Sequence, residues 1–230
     1  MNPPRDRQLA ADLWVFERPL RLAIGEVGTR MTVIRLTGGG LWLHSPVRLD
    51  GRTRAALGAL GPVVAVVAPN KLHHFFFGEY AAVYPQARFH AAPGLREKRP
   101  PLRVDAVLGD SAPDEWKADM TQLLVAGAPM MNEVVFCHRA SRTLILTDLA
   151  HNVPVGYAGA RLFYRLVGAP GRFGPHRLAR LLIRDRRATA AAVRRMLEWD
   201  FERVIMAHGA VLEHGGRERV AAAFAFLDRL

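Results

Sequence analysis

The run Val63-Val64-Ala65-Val66-Val67-Ala68 constrains this chain more than any other segment. It is six residues long, β-branched at four positions and free of polar side chains. Gly61-Pro62 stops whatever precedes it, and Pro69-Asn70 ends it. Such a run is too short for a buried helix and reads as a strand covered on both faces. A strand covered twice demands a layered fold with helices over a sheet.

The flanking segments supply those layers. Met31–Leu36 and Leu41–His44 read as two strands joined through Gly38-Gly39-Gly40, a hairpin signal. Asp50 opens a short helix through Leu60, and Gly61 and Pro62 close it. Further strands are expected at Arg88–Ala92, Val104–Leu108, Met120–Val125, Glu133–His138, Thr143–Thr147 and Arg203–Met206. Helical patterns cover Phe75–Tyr84, Ala158–Val167, Pro175–Ile183, Ala188–Trp199 and Arg217–Leu230. No internal repeat marks a solenoid, and no linker divides the chain. The 230 residues, half of them hydrophobic, suit one domain over 1–230.

Charge narrows the classes less than it first suggests. The formal net charge is +11, yet of 32 basic residues only Lys71, Lys98 and Lys117 are lysines. Abundant Arg, Ala, Gly and Pro fit a coding bias and a diffusely basic surface. An anionic membrane or nucleic-acid contact stays open as the functional alternative. No window of about 20 apolar residues is free of charge, so no spanning helix is expected. The N-terminus lacks a signal-peptide core. The single Cys137 excludes an internal disulfide and fits a cytoplasmic setting; it reads as a packed side chain. Between about 156 and 187, Leu162, Phe163, Leu166, Leu178 and Leu181 alternate with arginines. That pattern reads as an inserted helical lid or membrane-facing flank, with core packing as the plainer alternative.

Polar side chains with ligand chemistry follow three apolar strands: His73-His74, Asp148 and His208. Loops at strand ends are where α/β proteins gather functional groups. Imidazole and carboxylate suit zinc, iron or manganese. Each also has a plain reading: a solvated His-His loop, a helix-capping aspartate, a turn before Gly209. The case for a metal rests on the three occurring together.

In their order, Ala68-Pro69-Asn70-Lys71-Leu72-His73-His74, Thr147-Asp148-Leu149 and Ala207-His208-Gly209 resemble the metallo-β-lactamase superfamily. Arg30-Met31-Thr32-Val33-Ile34-Arg35-Leu36, the Leu-Trp-Leu-His-Ser-Pro run and Ser-Arg-Thr-Leu-Ile resemble an uncharacterised branch of it, a domain of unknown function. The resemblance implies a four-layer αββα sandwich. It also implies one divalent metal ion, most simply zinc, on His73, His74, Asp148 and His208. Pro69 and Lys71 fall where the superfamily has its first two histidines, and no histidine lies near Met130 to Glu133. One of two metal positions is therefore expected to be lost, with Lys71 able to set its ammonium there. The implied activity is metal-dependent hydrolysis of a small ester, lactone or phosphoester, with Glu133 or His44 in proton transfer. The alternative is a catalytically degenerate metal-binding or interaction protein on the same fold. His151 is expected at the pocket rim, and His176 and His214 at the surface.

Overall fold

A computed structural model describes residues 4–155 and 160–228. Two sheets face each other with helices on both outer sides, the four-layer αββα sandwich. The first sheet runs, edge to edge, Arg5–Ala10, Leu13–Arg18, Thr29–Arg35, Leu41–His44, Val63–Ala68, Arg88–Ala91 and Ala106–Val107. The second runs Met120–Leu124, Val134–His138, Thr143–Ile145 and Arg203–Ile205.

The Val63–Ala68 strand lies inside its sheet, parallel to Leu41–His44 on one side and to Arg88–Ala91 on the other. Val66 and Ala68 pack outward against Leu57, Phe77 and Tyr80 of the covering helices. Ala65 and Val67 pack inward. Val64 departs from the expected double burial. The register shifts opposite Leu41 and Trp42, leaving Val64 as the extra residue of a bulge, exposed and seated over Gly40. A Cβ on Gly40 would stand 2.5 Å from Val64 Cγ1, so the hairpin glycine is required by this contact.

Between the sheets, Leu13, Val15, Ile34 and Trp42 meet Val134, Phe136, Ile145 and Ile205. The outer face of the second sheet, with Val135, Cys137, Leu144 and Val204, lies under the helices Arg186–Leu197 and Gly216–Phe224. Cys137 is packed there, and burial pushes its thiol up to about 12. Asp50 caps the Gly51–Leu60 helix by accepting the Thr53 N–H at 2.7 Å, worth about 1 kcal/mol.

The hairpin Arg5–Ala10 with Leu13–Arg18 carries no strong sequence signal. Its outer strand is polar and partly exposed because it forms the sheet edge. The middle strands are shorter than their sequence patterns: Val104–Leu108 contributes only Ala106–Val107. The start of the expected Ala158–Val167 helix and the end of Arg217–Leu230 lie outside the described residues; what is described is helical at Arg161–Leu166 and Gly216–Phe224. Among the described residues, no helix is long and apolar enough to cross a membrane.

Candidate metal centre

The site is assembled where parallel strands end together. Thr143–Ile145 and Arg203–Ile205 pair in parallel with Ile145 opposite Ile205. Asp148 and His208 each lie three residues beyond that last pair, which sets them side by side. His73 arrives from the loop after Val63–Ala68 in the facing sheet. Arg30 joins the sheets beneath the His208 loop, its guanidinium donating to the carbonyls of Met206 and Gly209 and to Glu17.

His73, Asp148 and His208 converge. His73 Nε2 lies 3.1 Å from His208 Nε2 and 3.4 Å from Asp148 Oδ2, and His208 Nε2 lies 3.5 Å from Asp148 Oδ1. Ligand atoms arranged tetrahedrally around an ion at ~2.0–2.2 Å stand about 3.3–3.6 Å apart. The contacts are close to that spacing, with His73 and His208 approaching different oxygens of Asp148, and one donor atom from each of the two imidazoles and the carboxylate lies within 4.8 Å of the others.

Each donor is held from behind. His208 Nδ1 donates to the Gly28 carbonyl at 2.8 Å, which leaves the Nε2 lone pair facing the site. His73 Nδ1 is 2.7 Å from Ser45 Oγ, on a residue whose φ of 55° turns the chain after Leu41–His44. Asn70 is fully buried and ties two loops together. Its Oδ1 accepts the N–H groups of Leu72 and His73, and its Nδ2 donates to Asp148 Oδ2 and Glu133 Oε2. Burial opposes ionisation of Asp148, but His73 and His208 hold its carboxyl well below the ordinary range.

The remaining sequence candidates stand elsewhere. His74 turns away from the triangle: Nδ1 bonds the Leu72 carbonyl at 3.0 Å and Nε2 accepts from Arg99 Nε at 2.9 Å. With both nitrogens engaged, it is the expected ligand that this geometry leaves out. Glu133 has no side-chain oxygen to spare for proton transfer. Oε1 accepts the Thr147 N–H, and Oε2 accepts those of Asp148 and Leu149 as well as Asn70 Nδ2. Burial and the Asp148 charge nevertheless push it up to about 7. His44 is enclosed between Trp42 and Phe136, and burial drives it down to about 3. Lys71 Nζ donates to the Pro129 carbonyl at 3.1 Å.

Two histidines come closer than their sequence context suggests. His151 Nε2 lies 3.8 Å from Asp148 Oδ1, with its ring parallel to that of His208. His176, expected at the surface, instead lines the pocket with its ring centroid 4.5 Å from that of His151. Its Nδ1 caps the Arg177–Leu181 helix. The cue was its position at a helix start. Ser45 and Asn70 had no cue beyond their neighbours.

A cavity of about 370 Å³ opens above the triangle. His73, Asp148, His151, His176 and His208 form one end, and the walls are largely apolar, with Phe163 and Tyr164 from the 160–187 segment on one side.

This architecture of two facing sheets with helices outside is that of the metallo-β-lactamase fold. A metallo-β-lactamase from Erythrobacter litoralis is 16% identical and superposes with a TM-score of 0.68, over 100% of this chain and 98% of that one. A metallo-β-lactamase from Pseudomonas aeruginosa in a mono-zinc form is 13% identical, TM-score 0.66, over 99% and 96%. A metal-soaked flavodiiron core from Synechocystis is 14% identical, TM-score 0.67, over 98% of this chain and 61% of that one. The chain is thus a metallo-β-lactamase-fold protein. Residues 10–97 match the family model described as a domain of unknown function, DUF4336. No curated protein is a match for the chain.

Proposed function

We propose that this protein is a metal-dependent hydrolase holding a single divalent ion on His73, Asp148 and His208, and acting on a small ester, lactone or phosphoester. The convergence of two imidazoles and a carboxylate, one donor atom of each within 4.8 Å of the others, carries this reading. Zinc fits the donor set, as do iron and manganese, because ligand type alone does not choose among them. A divalent ion there supplies Lewis acidity towards a carbonyl or phosphoryl oxygen and lowers the pKa of water in the site.

The protein's own groups do the rest. Asn70, Ser45 and the Gly28 carbonyl orient the donors. His151, driven down to about 3 by burial, presents a neutral ring beside Asp148. Apolar walls exclude water, and the 160–187 segment, which supplies Phe163 and Tyr164, acts as a lid. The free Cys137 fits a reducing, cytoplasmic setting.

A second reading is a metal-binding protein without turnover. It is supported by the two superseded ligand positions, where the Pro69 carbonyl accepts from Val134 and Lys71 bonds Pro129. A panel of ester, lactone and phosphodiester substrates, offered to zinc-loaded wild type and Asp148→Ala, separates them. Turnover by wild type alone supports the hydrolase. Metal retention without turnover on any of the three classes supports the second reading.

A further inference from the structure

The cavity has a second chemical pole, built from cations, that the metal centre does not use. Lys98 and Arg99 line it, with Lys71 next to Lys98, and each donates to a neutral acceptor: Lys71 Nζ to the Pro129 carbonyl, Lys98 Nζ to the Lys71 carbonyl, Arg99 Nε to His74 Nε2. Among the described residues none of the three is in an ion pair. Burial first, then the charges of Arg99 and Lys71, hold Lys98 below its ordinary value. Uncompensated cations at a cavity are a site for an anion.

The same cavity is rimmed by exposed apolar side chains. Leu22 is 36% exposed, Ile24 44%, Leu72 36% and Phe75 61%, and all four line it together with Lys98 and Arg99. Four large apolar groups left in water around one mouth are more than scattered surface hydrophobics, and they mark a place where apolar surface is meant to be covered. Phe75 stacks on His74, the acceptor of Arg99, so the apolar rim and the cationic pole are contiguous.

We infer that the cavity takes an anionic amphiphile, its hydrocarbon chain against Leu22, Ile24, Leu72 and Phe75 and its phosphate or carboxylate at Lys98 and Arg99. Binding is independent of the hydrolase reading; only the cleavage step rests on it, since the bound amphiphile would present its ester or phosphoester to the His73–Asp148–His208 end. The cavity volume of about 370 Å³ suits a single chain and one headgroup.

Calorimetric titration of the full chain, metal-stripped and zinc-loaded, tests this with decyl phosphate below its micelle concentration, inorganic phosphate, and decyl maltoside. Decyl phosphate is expected to bind at least about tenfold more tightly than either of the others, because only it uses both poles. The double variant Lys98→Ala/Arg99→Ala should lose at least about tenfold for decyl phosphate and leave decyl maltoside unchanged, one charge-assisted contact alone being worth that much. Ile24→Asp/Phe75→Asp should abolish both. Flotation with phosphatidylglycerol vesicles assigns the source: flotation lost in Ile24→Asp/Phe75→Asp places the amphiphile in a bilayer, and no flotation with decyl phosphate binding intact places it free in solution. Equal binding of inorganic and decyl phosphate, or decyl phosphate binding unchanged in Lys98→Ala/Arg99→Ala, overturns the inference. Zinc binding without amphiphile binding overturns it alone, whereas amphiphile binding by a wild type that takes no metal overturns only the hydrolase reading.

Discussion

The Nε2 atoms of His73 and His208 face each other across 3.1 Å, although the two residues are 135 positions apart. His208 has already placed its proton on Nδ1, towards the Gly28 carbonyl, so its Nε2 offers a lone pair. A lone pair aimed at a second imidazole nitrogen and a carboxylate needs a cation or a shared proton between them. His73→Ala and His208→Ala should each weaken zinc binding by more than the ~10–100-fold that loss of an outer partner costs. Competition titration against a chromogenic chelator measures this. An affinity within about twofold of wild type in either variant would remove that histidine from the site.

Asn70 is the outer partner that matters most, because its side chain hydrogen-bonds both the backbone of the His73 loop and Asp148. Asn70→Ala should lower zinc affinity by ~10–100-fold. It should also cost about 1–3 kcal/mol of stability by stranding buried donors and acceptors. Denaturant unfolding together with the chelator titration reads both quantities. Unaltered affinity would show that Asp148 needs no such support.

Glu133 accepts the backbone N–H groups of Thr147, Asp148 and Leu149. Glu133→Gln places an NH2 group against backbone donors that expect an oxygen. The variant should lose stability by at least ~2 kcal/mol, while the pH profile of any residual turnover keeps its shape. A lost or shifted limb of that profile, with stability unchanged, would instead return Glu133 to proton transfer.

His44 and His151 are buried neutral, each driven down to about 3, first by desolvation. A histidine whose folded pKa is depressed contributes stability that is full above its unfolded value near 6.5 and is lost as pH falls below it. Each should therefore remove up to ~1.4 kcal/mol per pH unit between about pH 6 and 4. His44→Phe, which keeps a ring between Trp42 and Phe136, should flatten that slope in metal-free protein. Parallel slopes for wild type and variant in denaturant melts at pH 7, 6 and 5 would refute the assignment.

The fold was legible where hydrophobic pattern decides it. Val63–Ala68, the Met31–His44 hairpin and the paired Thr143–Ile145 and Arg203–Ile205 strands are apolar runs whose burial is their cause. Arg5–Ala10 was not legible, because an edge strand keeps one side in water and loses its pattern. In the candidate site, His73, Asp148 and His208 come after strands whose ends coincide, and that is visible in order alone. What the sequence does not encode locally is rotation. His73 and His74 are adjacent, yet one is drawn in by Ser45 and Asn70 and the other out by Arg99. Those partners lie 28, 3 and 25 positions away from the residues they hold. Glu133 and Asn70 were equally hidden, since their role is set by backbone N–H groups that converge only in the folded chain.

Metal stoichiometry tests the single-ion centre most directly. Wild type, Asp148→Ala and His74→Ala are stripped with chelator, loaded with zinc, freed of excess metal and analysed by plasma mass spectrometry. One zinc per chain is expected for wild type and for His74→Ala, and none for Asp148→Ala. Two zinc ions per wild-type chain, or one retained by Asp148→Ala, would contradict it.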